Sequence, residues 1–378
     1  MAPHFTSRWR EKLLTMKVLW LNHKDPLSPR AGGAERTILE VGSRLARHGH
    51  SVTVLAGSGP GAGGRQEING LMIQRYPSSL LPHVIFPLQL HFGPRPDVVI
   101  DDLAHVVPWG SPFFTDAPGV AFFRHLHART LDGQVPWPAS SILKEVESWY
   151  PRLYADWTFV TESKTGMEDL VCLGVPRGQL RQICPGVNRE IFYPGPKTSR
   201  PSMIYFAGLR PYKNAVDAVR LLRELVHRGV QASLTIVGYG PSLPEVRREV
   251  QRWKLTNAVK FVGRVSDEQL AGMLRASWLN VQVSRAEGWG YTSLEAAASG
   301  VPTVAYRVPG VSEAVIEGTT GHLIEFGDLK GLTDMAMDLL STVGTWQSRC
   351  RDYAETCDWE ATTDLWEELL SGLVREAV

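Results

Sequence analysis

Apolar residues recur along the chain in two alternating rhythms. Short apolar runs bounded by turn residues read as strands, at KVLWL (17–21), SVTVLAG (51–57), LMIQRYP (71–77), PDVVIDD (96–102) and GVAFF (119–123). Between them come stretches with helical spacing. The segment from Ala34 sets Ile38, Leu39, Val41 and Leu45 on one face and stops at Gly49. Strand, helix and strand in that order make a βαβ unit with the pair Gly32-Gly33 at its first turn, hence a Rossmann-like first domain. ILKEVESWYPRLYADWTFVTES (142–163) reads as a helix, a proline-initiated turn and a strand, and SKTGMEDLVCLGVP (163–176) as a further helix. The glycine-rich stretch 57–67 is expected to be a surface loop. Leu80–Phe92, apolar but broken by proline, is read as a buried connector, with an acceptor groove lining or a membrane contact as its alternatives.

The alternation restarts at MIYFAGL (203–209). A helix follows with Val216, Val219, Leu222 and Leu225 on its apolar face, then the strand and turn ASLTIVGYGP, a polar helix to Trp253, AVKFVGRVS and DEQLAGMLRAS. The run 194–201 (PGPKTSRP) has linker composition. The expected organisation is a leader over 1–15, a first domain over 16–196, a second over 197–360, and a last helix over 361–378 that returns to the first domain.

The most informative stretch is Ser284–Gly310. The strand-like WLNVQVS precedes it, the loop Glu287-Gly288-Trp289-Gly290 opens it, a short helix starts at Thr292 and Ser293, and PTVAY supplies the next strand. A loop feeding a helix N-terminus at a strand's carboxyl end offers unpaired N–H groups and a positive dipole end, which suit a phosphate. Glycines let backbone approach a bulky ligand. Glu287 and Glu295 are eight apart and could accept hydrogen bonds from sugar hydroxyls. Thr292-Ser293-Leu294-Glu295 also has capping-box spacing, which by itself accounts for Glu295.

Bulk properties narrow the class. A chain of 378 residues, 43% hydrophobic and 21% charged, is a soluble-type globular sequence long enough for two cores. Its net charge of +1 provides no field to draw it to nucleic acid. Cys172, Cys184, Cys350 and Cys357 show no C-x-x-C spacing and suit a reducing, cytoplasmic compartment. The N-terminal Phe5, Trp9 and Leu13, interleaved with Arg8, Arg10, Lys12 and Lys17, read either as a frayed leader before Met16 or as a helix lying on the inner face of a membrane. A weak peripheral membrane contact is therefore kept among the expected partners. His125 and His127 have i, i+2 spacing, and no third residue stands at ligand spacing to complete a metal site.

The string E-G-W-G-Y-T-S-L-E-A-A-A-S-G-V-P-T-V-A (287–305) resembles the E-x7-E signature of the retaining glycosyltransferases of family 4, which have the GT-B fold. Gly310, Glu313 and GTTGHLIE fit the same family. The resemblance implies two Rossmann-like parallel-sheet domains and a nucleoside-diphosphate sugar, UDP- or GDP-linked, as donor. It also implies a saccharide, lipid-linked or small-molecule acceptor, and no metal or other cofactor. By the same resemblance, Glu295 binds the donor ribose and Glu287 the hydroxyls of the donor sugar, with Gly288 and Gly290 shaping the loop. The backbone at Tyr291, Thr292 and Ser293 holds the diphosphate, and Arg264 and Val265 edge the base. The G-G-A-E segment brings Gly33 to the donor phosphate and Gly32 to the acceptor side. Asp101 and Asp102, at the carboxyl end of their strand, are further candidates on the acceptor side, as are Arg124 and His127. The resemblance also implies a histidine facing the reaction centre at position Arg124 or His125, and His125 is the catalytic candidate. Ala207–Lys213 resembles the family's G-R-L-x-x-x-K, with Gly208 where the arginine is expected. Lys213 then holds the diphosphate, with Arg210 as the substitute cation. An isomerase of the same shape, or a non-catalytic nucleotide-sugar-binding protein, are the alternatives.

Overall fold

The computed structural model of the chain describes residues 15–28, 31–57, 63–78, 81–129, 131 and 136–377. The expected leader, with Phe5, Trp9 and Leu13, lies outside them apart from Thr15. One sheet contains β1 (Lys17–Asn22), β2 (Ser51–Gly57), β3 (Gly64–Ile68), β4 (Leu71–Tyr76), β5 (Val98–Leu103), β6 (Gly119–Phe123), β7 (Thr158–Thr161) and β8 (Leu180–Gln182), in the order β3-β4-β2-β1-β5-β6-β7-β8. The other contains β9 (Ser202–Phe206), β10 (Ser233–Val237), β11 (Val259–Gly263), β12 (Leu279–Gln282), β13 (Thr303–Tyr306) and β14 (Gly321–Ile324), in the order β11-β10-β9-β12-β13-β14.

The connecting helices of the first half are α1 (Gly33–Arg47), α2 (Pro82–Phe92), α3 (Ala139–Ser148), α4 (Tyr150–Leu153) and α5 (Lys164–Leu173). In the second half they are α6 (Ala215–His227), α7 (Leu243–Arg252), α8 (Asp267–Ala276), α9 (Tyr291–Ala298), α10 (Val311–Ala314), α11 (Leu329–Ser341), α12 (Trp346–Glu355) and α13 (Trp359–Glu376).

The contacts within the chain define two compact units. The first comprises residues up to Leu103, Pro108–Ala121 and the segment from Thr363 onward; the second comprises Ala104–Val107 and Phe122–Thr362. The linker-like run 194–201 therefore lies inside the second unit.

In the first unit, β1 pairs in parallel with β2 and β5, and β2 with β4. The glycine-rich stretch, read as loop, contributes β3, which pairs antiparallel with β4 through Gly64–Ile68. The segment expected as a buried connector is instead the helix α2. Pro82 occupies its first turn, where no N–H is needed, and Pro87 is held within it. Phe86 and Leu90 face the core, while Val84, Leu88 and Phe92 are exposed. The end of α13 completes this unit. Trp366, fully buried, lies with its ring 5.6 Å from that of Trp20. Glu367 takes His48 Nδ1 at 2.6 Å and His50 Nε2 at 3.1 Å. The Met16 amide donates to His50 Nδ1 at 3.2 Å, so Nε2 carries the proton directed at the carboxylate.

His23, just after β1, is pushed down to about 4, first by burial and then by Lys24 and His83. Its folded value lies below the ordinary 6.5, so the unfolded chain takes up the proton first as pH falls. The stability it contributes is complete above about pH 6.5 and is lost towards pH 4. His23→Gln is expected to flatten the fall in melting temperature across that window, as checked by thermal scans at successive pH values.

In the second unit, β9 has β10 on one side and β12 on the other, all parallel. This is the 3-2-1-4-5-6 order of a dinucleotide-type sheet, which binds ligands where the order reverses, outside the carboxyl ends of its first and fourth strands. Met203, Ile204, Tyr205, Leu234, Ile236, Val281 and Val304 lie inside. Burial of both faces is why β9 is a continuous apolar run, whereas β12 also buries the polar Asn280 and Gln282.

Candidate functional site

Lys213 follows β9, and Glu287 follows β12, so the switch point of the second sheet carries both. Lys213 Nζ donates to both Glu287 oxygens at 2.5 Å. Gln282 Nε2 and Ser284 Oγ donate to Glu287 Oε1 at 3.0 and 2.7 Å. Burial would lower the Lys213 pKa, but the Glu287 carboxylate and the Tyr212 hydroxyl outweigh it and hold the value above the ordinary lysine range. The site is thus a fixed ion pair with a charged lysine at neutral pH.

Gly290 forms the N-cap of α9 at φ 106°, a left-handed conformation that costs glycine little. The helix consequently begins at Tyr291, a residue earlier than the sequence implies, and no side-chain cap closes it. Glu295 falls in the second turn, so the capping box is not formed. Thr292 Oγ1 instead donates to Gln282 Oε1 at 3.1 Å. Gln282 thereby ties the helix tip to Glu287. Tyr291 and Thr292 remain half-buried, Ser293 is buried, and Glu295 is 7% exposed. In the first turn of α9 the Ser293 amide donates to Gly290 O at 2.9 Å. No side chain caps the helix, whose N-terminus carries the positive end of its dipole and suits an anion.

Gly288 serves a close approach within the protein. A Cβ there would meet the Arg124 carbonyl oxygen at 2.9 Å and His125 Nδ1 at 4.0 Å. His125, Glu287 and Gly288 together line a small cavity of about 10 Å³. Burial first, then the charges of His127, Lys213, Arg124 and Arg129, depress the His125 pKa well below its ordinary value. A neutral imidazole therefore faces the Glu287 loop at pH 7.

Other candidates lie further out. Arg210 is exposed at the turn before Lys213, and a side chain at Gly208 would meet open space. Arg264 is exposed and Val265 half-buried beyond the left-handed Gly263 that ends β11. In the first unit Gly32 caps α1 and donates its N–H to Glu35 at 2.6 Å, and Gly33 is the first helical residue.

Four expected acceptor-side residues each have a partner inside their own unit. Asp101 accepts from Ser111 Oγ at 2.5 Å, and Asp102 from the Trp20 indole at 3.3 Å, both carboxylates being buried. Arg124 lies over the Phe122 ring and donates to Glu162 Oε1 at 2.9 Å. His127 is buried against Glu147, with its amide donating at 2.7 Å. A strand's carboxyl end marks where ligands gather, but it does not say which carboxylates are already satisfied.

Glu162, Gln282 and Ser284 were not among the expected residues. Glu162, buried at the end of β7, also accepts from the Tyr291 hydroxyl at 2.5 Å. It thus joins Arg124 to the first residue of α9, a link over 129 positions for which no motif exists. Tyr291→Phe removes a donor to a charged acceptor, and is expected to lower stability by about 1.5 kcal/mol. Chemical denaturation would measure it, with an unchanged midpoint refuting the linkage. Glu313, noted earlier only as part of the motif, accepts from the Lys164 and Thr165 amides at 2.6 and 2.8 Å and so caps α5.

The family model "Glycosyltransferase Family 4" matches residues 31–191, and "Glycosyl transferases group 1" matches 188–356. The chain is 34% identical over 146 residues to N-acetyl-alpha-D-glucosaminyl L-malate synthase of Bacillus anthracis, covering 39% of this chain and 38% of that one. It spans 38% to 63% of the length of the first curated relatives it matches. Among solved structures, sucrose-phosphate synthase from Thermosynechococcus elongatus superimposes with a TM-score of 0.82 at 20% identity, covering 95% of this chain and 99% of that one. HepE from Anabaena, solved with UDP and glucose, gives 0.73 at 18% identity, with 94% and 99% covered.

Proposed function

Because the chain belongs to the family 4 glycosyltransferases and has the GT-B fold, we propose that it transfers a glycosyl unit from a nucleoside-diphosphate sugar to an acceptor hydroxyl, with retention and without a metal. The observation that carries this reading is the Lys213–Glu287 pair beside the uncapped N-terminus of α9, at the reversal point of the second sheet. In the donor complex, Lys213 turns from Glu287 to the diphosphate. Glu287 then accepts from hydroxyls of the sugar, and Glu295 from those of the ribose. The likeness to a fold solved with UDP and glucose supports such a donor.

Departure of the nucleoside diphosphate builds negative charge on its terminal phosphate. Once turned to the diphosphate, the Lys213 ammonium stabilises that charge together with the N-terminal end of α9 and the Arg210 guanidinium. Positive groups aimed at developing charge are usually the largest catalytic contribution. The acceptor hydroxyl attacks the same face from which the diphosphate leaves and gives its proton to the departing phosphate oxygen. The C1–O bond to phosphate breaks as the new C1–O bond forms, so the configuration is kept. Neutral His125 lies close to Glu287 and can accept a hydrogen bond from the sugar. The acceptor is a glycan, a glycolipid precursor or a small natural product.

The deciding experiment incubates the protein with labelled nucleotide sugars and follows nucleoside diphosphate release. Release that requires an acceptor supports transfer, whereas an epimerised donor or no release refutes it. Activity is further expected to survive thorough chelation. Loss on chelation that manganese restores would contradict the metal-free mechanism.

A further inference from the structure

The second unit holds another concavity, which shares no lining residue with the cavity at Glu287. It is a groove of about 520 Å³ where α3 and α4 meet the end of α5, within the span of roughly 300–1,000 Å³ usual for small-ligand sites. Trp149 lines it and is 51% exposed. Large apolar groups left open in a concavity commonly mark a binding surface.

Trp149 is held at both backbone and side chain. Its amide donates to Val146 O at 3.2 Å, and its carbonyl accepts from the Arg152 and Leu153 amides at 2.9 and 3.0 Å. The indole N–H donates to Glu145 Oε1 at 3.2 Å, which fixes the ring. Tyr150, the next residue, is fully buried and donates its hydroxyl to Val106 O at 2.7 Å. The backbone bonds and the bond to Glu145 favour one orientation of the ring, which reduces the side-chain freedom lost on binding.

Around the ring stand the Glu145 carboxylate, the Ser148 hydroxyl, the Arg152 guanidinium and the Gln179 amide. A fixed aromatic face ringed by groups that both donate and accept suits a saccharide. Sugar C–H bonds pack on an indole face, while the equatorial hydroxyls reach sideways into polar groups. Glu145 accepts from the Trp149 indole, Ser148 donates to Glu145 O, and Gln179 donates to Ala155 O. Each nevertheless keeps further lone pairs or protons that a saccharide can engage and a lipid chain would desolvate. We propose that this groove binds a neutral oligosaccharide with one sugar ring stacked on Trp149. The proposal rests on the glycosyltransferase reading, to which it adds a second grip on a glycan acceptor.

The test titrates the intact protein, without donor, with maltoheptaose, mannohexaose and chitohexaose by calorimetry, and in parallel with UDP and GDP. At least one oligosaccharide is expected to bind. Trp149→Ala is expected to weaken that binding about tenfold or more and Trp149→Tyr to keep most of it, with nucleotide binding unchanged. Wild-type protein that binds none of the three, or Trp149→Ala that binds as tightly as wild type, overturns the proposal. Should Trp149→Ala lose nucleotide binding as well, Glu145→Gln and Arg152→Ala replace it, and unchanged oligosaccharide affinity in both would overturn the groove. Donor turnover is measured separately. Trp149-dependent binding in a protein that transfers nothing refutes the transfer reading and leaves the groove, while transfer without such binding does the reverse.

Discussion

Lys213→Ala is expected to lower turnover about 100-fold or more, equivalent to about 2.7 kcal/mol of barrier. The substitution removes the cation nearest the proposed diphosphate. It also leaves Glu287, held by Gln282 and Ser284, as a carboxylate without its countercharge. Both losses fall on the same step, because a negative site repels a leaving group that is itself gaining negative charge. Lys213→Arg is expected to recover only part of the rate, since a larger planar guanidinium must replace a compact ammonium in a largely buried pair with Glu287. Steady-state kinetics with saturating donor would measure both variants. A wild-type rate in Lys213→Ala would remove the proposed site altogether.

Trp366→Ala is expected to destabilise the first unit by about 3–5 kcal/mol, the usual cost of deleting a buried aromatic side chain. The ring is fully buried and lies against Trp20, so its loss opens a cavity and strands a second indole. Next to it, Glu367 is buried and holds two histidines. The cost therefore falls on a segment that has little room to collapse. Denaturant unfolding followed by fluorescence would show it, and a shift below about 1 kcal/mol would mean that the site relaxes as the buried environment does not predict.

Much of this architecture was legible because largely buried parallel strands are rich in apolar and β-branched residues and are bounded by turns. β2, β6, β10 and β13 begin and end within a residue or two of SVTVLAG, GVAFF, ASLTIVG and PTVAY. The helices between them announced themselves by spacing, as α1 and α6 do. The glycine loop at 287–290 was legible for a different reason, since a left-handed Gly290 and a close-packed Gly288 admit few other residues. Some elements were hidden, β3 and α2 among them. β3 is polar and exposed at the sheet's edge, so it has no apolar signature, and α2 contains a proline that spacing rules treat as a break.

The roles of single polar residues were less legible than the frame. Asp101 and Asp102 looked available at a strand end, but a serine ten residues on and a tryptophan 82 residues earlier had already engaged them. Glu162 gave no sign of its importance, because its partners Arg124 and Tyr291 are distant in sequence. Hydrophobic periodicity is a local property that survives in one dimension. Hydrogen-bond partnership between far-apart residues does not.

Residues from Thr363 onward belong to the same compact unit as β1 to β5. A ribosome therefore releases the strands of that unit long before it makes the indole and the carboxylate that close their surface. The second unit, whose sequence is contiguous from Phe122 to Thr362 apart from the short Ala104–Val107 piece, has all its pieces earlier. Nascent chains are thus expected to fold out of the usual N-terminal-first order, with the half begun first completed last and its apolar face exposed to chaperones in the interval.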